Sequence, residues 1–523
     1  MEAYYTKSSP MPATFAIADA LFSETKTALS SDTLIHSYHD EVERYAVEQG
    51  RRIVQALVQT HMNLRGQAVA VEPVVGKDQQ ERTHVRPDTE RHLVTTVGQV
   101  AVPRVAYSGR GLGALHPTDA DLNLPTDSYS FEVTRKIAMT AAEQPFDATR
   151  KLFAEFTGVN IAIRQVEQIT RGAAQDMDAF YQSGSRTFDP DKTSEILVLT
   201  ADQKGIVMRR QDLREQTRLR AEQQEPQLDS RLTKGEKPDR KRMATVAAVY
   251  TVAPHFRTAA EVIAGLRHLR PVADEHAKRR CPRPEHKRVW ASVTAEMRDV
   301  VSQLFDEAER RDPLRNKRWF AVIDGDPKLR KAIQKEAKRR GVKVTVILDF
   351  IHALEYLWRA GGALFDQGSK ELEEWVLERL TAVLEGKVSD VAAGIRRSAT
   401  KRSLSAKQRK PVDRAANYFL KRKAMMRYDQ LLDLGTPIAS GVIEGTCRSL
   451  VNDRLDVTGA RWSLVGAEAV LRLRAILRSG DWNEYWDFHT HAEYERNHRS
   501  RYANGRPPAV EIPKRHPRLR VVT

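Results

Sequence analysis

The run Ile196-Leu197-Val198-Leu199-Thr200 passes without a polar break into Ala201-Asp202. An apolar stretch without alternation reads as a strand buried on both faces, which requires helices on both sides of its sheet. A carboxylate at the end of such a strand is a candidate metal ligand or general base. Lys204-Gly205 predicts a tight turn, with Ile206-Val207-Met208 opening a second strand, and residues 243–252 form a third. The same pattern of strand and acid recurs where residues 319–323 lead into Asp324 and residues 343–348 into Asp349. Asp326 precedes Pro327, which makes it the N-cap of a helix with proline at the first helical position. That role accounts for Asp326. Asp324 has no comparable local role and is the functional candidate. Asp349 opens a helix and is itself suited to cap it. His352, one turn in, is placed to face the same end of the sheet as Asp202 and Asp324.

Residues 440–455 predict one helix with Ile443, Cys447, Leu450, Val451 and Leu455 along a stripe. Glu444 lies at the stripe's edge near the N-terminus, where the helix dipole favours the ionised form. The plainer reading pairs it with Arg448 at i+4.

A chain of 523 residues is too long for one core. The expected organisation is a helical region at 1–80, a small β region at 81–127 and a helix-turn-helix-like region at 128–184. An α/β core follows at 191–352, with an α-helical insertion at 353–435, the resumed core at 436–480 and a basic tail at 481–523, disordered from Asn497. The β region holds a hairpin turning about Gly98-Gln99, then a glycine-rich loop at 108–117. In the helix-turn-helix-like region, helices at 147–156 and 164–180 flank Gly158. Arg164, Gln165 and Gln168 then lie where base edges are read, although Ala162 is a poor cap and a plain helical hairpin has the same outline. Residues 211–242 read as a long exposed loop. Residues 258–288 read as a basic loop, in which His276, Cys281 and His286 have only a loose zinc-like spacing, and residues 289–311 as a helix.

Lys and Arg number 85 against 69 Asp and Glu, a net charge of +16. The excess points to an anionic partner, nucleic acid first, with a solvated basic surface as the plainer alternative. Cys281 and Cys447 are the two cysteines. They offer neither a disulfide framework nor a CxxC pair, which fits a reducing cytoplasm. No apolar run reaches the length of a membrane span, and residues 1–22 lack the basic leader and apolar centre of a signal peptide.

In order, the central part reads strand with Asp202, strand, strand, helix, strand with Asp324, helix, strand, helix, helical insertion, helix with Glu444. That is the element order of an RNase H-like catalytic core, an α/β fold on a mixed five-stranded sheet, here with an all-α insertion and preceded by the N-terminal regions. Its first and fourth strands are neighbours, so Asp202 and Asp324 meet and Glu444 arrives over them. Three converging carboxylates repel one another unless a cation lies between them. Mg²⁺ suits such an oxygen site, with Mn²⁺ able to substitute. Two such ions about 3.5–4 Å apart serve the attacking and leaving oxygens of an in-line displacement. No GxxxxGK[ST] phosphate loop competes.

The chain resembles bacterial insertion-sequence transposases of the DDE class, in the Mutator-like group and most of all its ISKra-type members. The matching words are TADQKG around Asp202, VIDGDPKLRKAI around Asp324, ILDFIHALEYLW from Ile347 and ASGVIEGTCRSLVNDRLDVTGARWS around Glu444. With the helix-turn-helix-like region the resemblance covers residues 85–480. It implies that Asp202, Asp324 and Glu444 form the metal-binding catalytic triad. It also implies that Asp349 and His352 form the group's accessory motif, and that Arg461 and Trp462 belong to the site's surroundings. His352 would orient a scissile phosphate or a water. Arg461 would hold backbone phosphate, and Trp462 would stack on a displaced base or pack. Many relatives carry a Cys pair after the hairpin. This chain has Ser108-Gly109-Arg110-Gly111-Leu112-Gly113 there, without cysteine.

The implied activity is binding of double-stranded DNA at the terminal inverted repeats, metal-dependent strand cleavage and transfer of the freed 3′-hydroxyl to target DNA. Synapsis of two ends implies at least a homodimer. The alternatives are an RNase H-like resolvase, which only cuts, and a non-catalytic DNA-binding regulator.

Overall fold

The computed structural model describes residues 15–184, 192–223, 240–266, 281–457 and 459–513. The chain divides into two compact units, Met1–Ser183 with Asn483–Thr523, and Gly184–Trp482. Among the described residues no helix is long and apolar enough to cross a membrane.

The first unit opens with helices α1 (Ala16–Leu29), α2 (Asp32–Ile35) and α3 (His39–Arg65), followed by the short strand β1 (Val69–Ala70). Strands β2 (His84–Thr95) and β3 (Gly98–Gly109) pair antiparallel with Thr95 opposite Gly98. The hairpin therefore turns at Thr96-Val97, two residues before the expected Gly98-Gln99, and Gly98 opens β3 at φ 124°. The expected loop at 108–117 contains β4 (Leu112–Leu115), which folds back on β3 after Gly111 and buries Leu115 beside Val105 and Tyr107. Helices α4 (Pro117–Asp121), α5 (Phe131–Glu143), α6 (Phe146–Thr157), α7 (Ile163–Ala173) and α8 (Met177–Gln182) follow. Gly158 ends α6 in the left-handed conformation that a helix stop favours, at φ 71°. Val133, Ile137, Phe153, Val166 and Ile169 gather α5, α6 and α7 around one small core. The helix expected to run to residue 180 ends at Ala173, and α8 is separate.

The second unit is built on a mixed sheet of β5 (Ile196–Val207), β6 (Lys241–Val252), β7 (Glu285–Ser292), β8 (Arg318–Ile323) and β9 (Val344–Leu348). The order is β7-β6-β5-β8-β9. β6 runs antiparallel to β5 and β7, and β5, β8 and β9 run parallel. Helices α9 (Glu215–Glu222), α10 (Ala259–Leu266), α11 (Met297–Arg311) and α12 (Pro327–Arg340) lie between the strands in the chain. Two strand assignments change. Lys204-Gly205 makes no turn, because β5 pairs with β6 continuously to Val207 opposite Lys241. A Cβ on Gly205 would lie 2.7 Å from Lys241 Cδ, so the Lys241 side chain packs over the glycine. The fifth strand is β7, where loop and helix were expected. Its Arg288 is buried against Glu307, so a charge that reads as solvated faces inward. Of the loose zinc-like set, Cys281 is exposed, His286 lies in β7 and His276 lies outside the described residues.

After β9 come α13 (Phe350–Gly361), α14 (Lys370–Leu384), α15 (Val388–Lys401), α16 (Ala406–Arg422) and α17 (Tyr428–Asp433). The predicted 440–455 helix is α18 (Gly441–Cys447), a π-helical turn over Arg448–Asn452 and α19 (Asp453–Leu455). Then α20 (Leu464–Ser479) completes this unit.

The basic tail expected from residue 481 forms α21 (Trp482–Asn497), and the part expected as disordered, from Asn497, contains β10 (Val510–Glu511), which pairs with β1. Its basic residues suggest solvent, but its aromatic residues Tyr485, Trp486 and Tyr502 are buried.

Candidate active site

The sheet sets two of the acids side by side. β5 and β8 are parallel neighbours with Thr200 opposite Val322. Asp202 and Asp324 each lie two residues further on, at equivalent heights beyond the paired region. β5 continues past that point along β6, with Asp202 opposite Val246. Asp202 Oδ1 accepts from the Gln203 backbone N–H at 2.6 Å. Its Oδ2 lies 3.1 Å from Lys204 Nζ and accepts from the Cys447 thiol at 3.4 Å.

Asp324 starts a turn whose shape is fixed from several sides. Its Oδ1 accepts from the Asp326 N–H at 2.8 Å, and its backbone carbonyl accepts from the Tyr418 hydroxyl at 2.9 Å. Gly325 has φ 85°, and a Cβ there would meet Leu348 and Arg422 at 2.6 Å, so only glycine fits. Asp326 caps α12 by accepting from the N–H groups of Lys328 and Leu329, both at 2.8 Å. Burial raises the Asp324 carboxyl above the ordinary range. The Asp326 hydrogen bond opposes this, and the Asp202 charge adds to it.

Glu444, Asp349 and His352 form a second group. Asp349 is fully buried, caps α13 through the Ile351 N–H at 2.9 Å and accepts from the Ser440 hydroxyl. His352 stands in the first turn of α13, and Glu444 in the first turn of α18. One ligand atom from each of Asp349, His352 and Glu444 lies within 4.8 Å of the other two. Partial burial raises the Glu444 carboxyl, with the Asp349 charge adding, while His352 and Lys204 pull it down.

The expected trio is thus distributed over two adjoining groups. Asp202 and Asp324 stand at equivalent heights on neighbouring strands, and Glu444 stands with Asp349 and His352. Two side chains couple the groups electrostatically. His352 acts on both Asp324 and Glu444, and Lys204 acts on both Asp202 and Glu444. Burial alone would lower the Lys204 ammonium, but Asp202 outweighs it and lifts it above the usual lysine value. The surface pair between Glu444 and Arg448 does not form, and Arg448 lies 3.5 Å from Asp453 instead.

Trp462 is 7% exposed and packs. Its indole N–H donates to the Leu455 carbonyl at 3.0 Å, its backbone bonds to Val207 and Arg209, and the Arg454 guanidinium covers its ring. Arg461 beside it is exposed. On α7, Arg164 and Gln168 are exposed at i and i+4, so they share one face. Gln165 turns back to accept from the Ala162 N–H at 3.4 Å, which is the N3 half of a capping box whose other half Ala162 lacks the side chain to make.

Sequence reasoning missed Lys204, Cys447, Tyr418 and Arg422. Lys204 was detectable as the i+2 neighbour of Asp202 on one strand face. Tyr418 and Arg422 line a groove of about 1330 Å³ between α13 and α16. Five cations line it (Arg359, Lys407, Arg414, Lys421 and Arg422) and no carboxylate does. Tyr356 and Tyr418 stack there at 3.7 Å, and Arg422 Nε donates to the Gly325 carbonyl at 2.9 Å, so the groove adjoins the Asp324 turn.

No family model matches the sequence, and no curated protein matches it. Among solved structures the chain is similar to the Drosophila P element transposase strand transfer complex, at 10% identity and a TM-score of 0.32, over 68% of this chain and 93% of that chain. A likeness so slight fixes neither fold nor chemistry.

Proposed function

We propose that the chain is a DDE transposase of the ISKra-type, Mutator-like group, with an RNase H-like core formed by residues 191–352 and 436–480 and interrupted by the helical insertion 353–435. It binds the terminal inverted repeats of its own element in the bacterial cytoplasm, cuts a phosphodiester and joins the freed 3′-hydroxyl to target DNA. The observation that supports this reading is the pair Asp202 and Asp324, at equivalent heights on neighbouring parallel strands, with Glu444 in the adjoining group beside Asp349 and His352.

The donor set fits a hard divalent cation. It consists of carboxylate oxygens at a site where a lysine ammonium already stands against one of them. Asp202 and Asp324 would hold Mg²⁺, or Mn²⁺ in its place, and Glu444 would complete the shell. When bound, the metal supplies activation of the attacking oxygen and neutralisation of the leaving one. The remaining work belongs to the chain. Asp349 and Ser440 fix the start of α13, so that His352 faces the acids and orients the scissile phosphate or the attacking water. The cationic groove takes the sugar-phosphate backbone, with Arg461 as a further contact, so affinity falls steeply with salt. Arg164 and Gln168 on α7 read base edges, while Gln165 supports their helix and Trp462 supports the site by packing. Two copies of the chain bring two element ends together.

The test is Asp324→Asn with a duplex carrying the element's end and a supercoiled plasmid as target. The variant is expected to lose Mg²⁺-dependent cleavage and joining while it keeps end binding. Joined products that persist would remove Asp324 from the chemistry, and cuts without joined products from the wild-type chain would replace the transposase by a nuclease.

A further inference from the structure

We propose that Lys204 is the resident counter-cation of the carboxylate site: its ammonium holds a divalent ion's place beside Asp202 and passes to DNA phosphate when the ion binds. This rests on the reading of Asp202 as a metal ligand and adds a control on that ligand.

Asp202 and Lys204 are two residues apart on β5, so both side chains leave the same face of the strand. Nζ lies 3.1 Å from Asp202 Oδ2, with the lysine side chain 40% exposed and the aspartate side chain 20% exposed. The same oxygen takes the Cys447 thiol, so a metal ion reaching it must displace a donor. Asp202 on its own strand touches the ammonium, and Glu444 and Cys447 on α18 act on it electrostatically. It therefore offsets repulsion between the two acidic groups before any divalent ion arrives. Lysine suits this exchange, since a flexible stem carries its point charge from one anion to another without the fixed fork geometry of arginine. A half-exposed ion pair contributes little to stability, so the weight of this one falls on the competition at the ligand oxygen. A placeholder competes with the metal, and once displaced it favours phosphate. Metal and DNA then strengthen each other's binding by one and the same factor.

The experiment compares the full chain with K204Q, K204R and D202N. Mn²⁺ binding is followed by the EPR signal of the free ion, and binding of a duplex of arbitrary sequence by fluorescence anisotropy with and without Mg²⁺. K204Q is expected to bind Mn²⁺ about fivefold more tightly, the factor that a weak ion pair is worth. K204R, which keeps the charge, is expected to bind Mn²⁺ as the wild type does. The gain in duplex affinity on adding Mg²⁺ is expected to shrink in K204Q. Unchanged or weaker Mn²⁺ binding by K204Q, with binding lost in D202N, overturns the placeholder alone. Undiminished binding by D202N overturns the metal reading beneath it.

Discussion

Glu307 shows how a charge that looks solvated in sequence can be a core element. It is buried on α11, with Arg288 of β7 at 2.7 Å and Arg310 and Arg311 of its own helix at 3.0 and 2.7 Å. Burial pushes its carboxyl up, but Arg288 and Arg311 outweigh it and bring it from 4.5 to about 2. The folded value lies below the unfolded one, so the ionised carboxylate stabilises the fold above about 4.5. That contribution is lost as pH falls from there toward 2. Glu307→Gln is expected to cost about 3 kcal/mol at neutral pH in urea unfolding, with the gap from wild type closing across that window. A gap independent of pH would show that the charge of Glu307 is not what holds β7 to α11. The same contact explains why β7 was illegible. Glu285, His286, Lys287 and Arg288 read as solvated loop unless the partner of Arg288, in the following helix, is known.

At the scale of elements, local signals were readable and distant ones were not. Asp326-Pro327 announces a helix start because a cap needs only its own neighbours, and Asp326 accepts from both N–H groups that the motif predicts. Asp326→Ala is therefore expected to lower stability by about 1 kcal/mol, and Asp326→Asn to be nearly neutral, with Mn²⁺ affinity kept in both. Loss of metal binding in Asp326→Asn would exchange the roles assigned to Asp324 and Asp326. Lys204-Gly205 misled because the reason for its glycine lies on another strand, under Lys241. The helix bearing Glu444 was legible in position but not in form. The buried Arg474 of α20 takes the Ser449 carbonyl at 2.9 Å, within the π-helical turn. A turn of this kind departs from the regular helical ladder and recurs at functional sites. Nothing in the stripe of apolar residues announces it. Asp324 and Asp349 were readable as ends of strands and Glu444 as the first turn of a helix, whereas Asp202 lies within β5, which runs on to Val207, and the split into two adjoining groups depends on how α13 and α18 meet the sheet.

At the scale of the molecule, the first unit is completed by the far end of the chain. Asp176, between α7 and α8, is buried and would be raised by burial. His489 Nδ1 at 2.7 Å and Arg496 at 2.5 Å, both on α21, outweigh this and hold it below the usual carboxylate range. The Tyr485 hydroxyl donates to the carbonyl of Ala173, the last residue of α7, and Tyr502 joins the core of Val74, Val105, Tyr107 and Leu115. Basic composition hid this, because the residues that bury are aromatic and spaced among charges. A chain ended after Trp482 leaves Asp176 without His489 and Arg496 and the carbonyl of Ala173 without its hydroxyl donor. The second unit contains every acid of the candidate site and lacks none of its own strands. The truncated chain is therefore expected to keep Mn²⁺ binding and one thermal transition, while residues 15–183 become sensitive to protease and sequence-specific duplex binding through α7 is lost. Protease resistance of residues 15–183 in the truncated chain would mean that α5, α6 and α7 stand on their own small core, and that the aromatic and ionic contacts of α21 are not required to hold them.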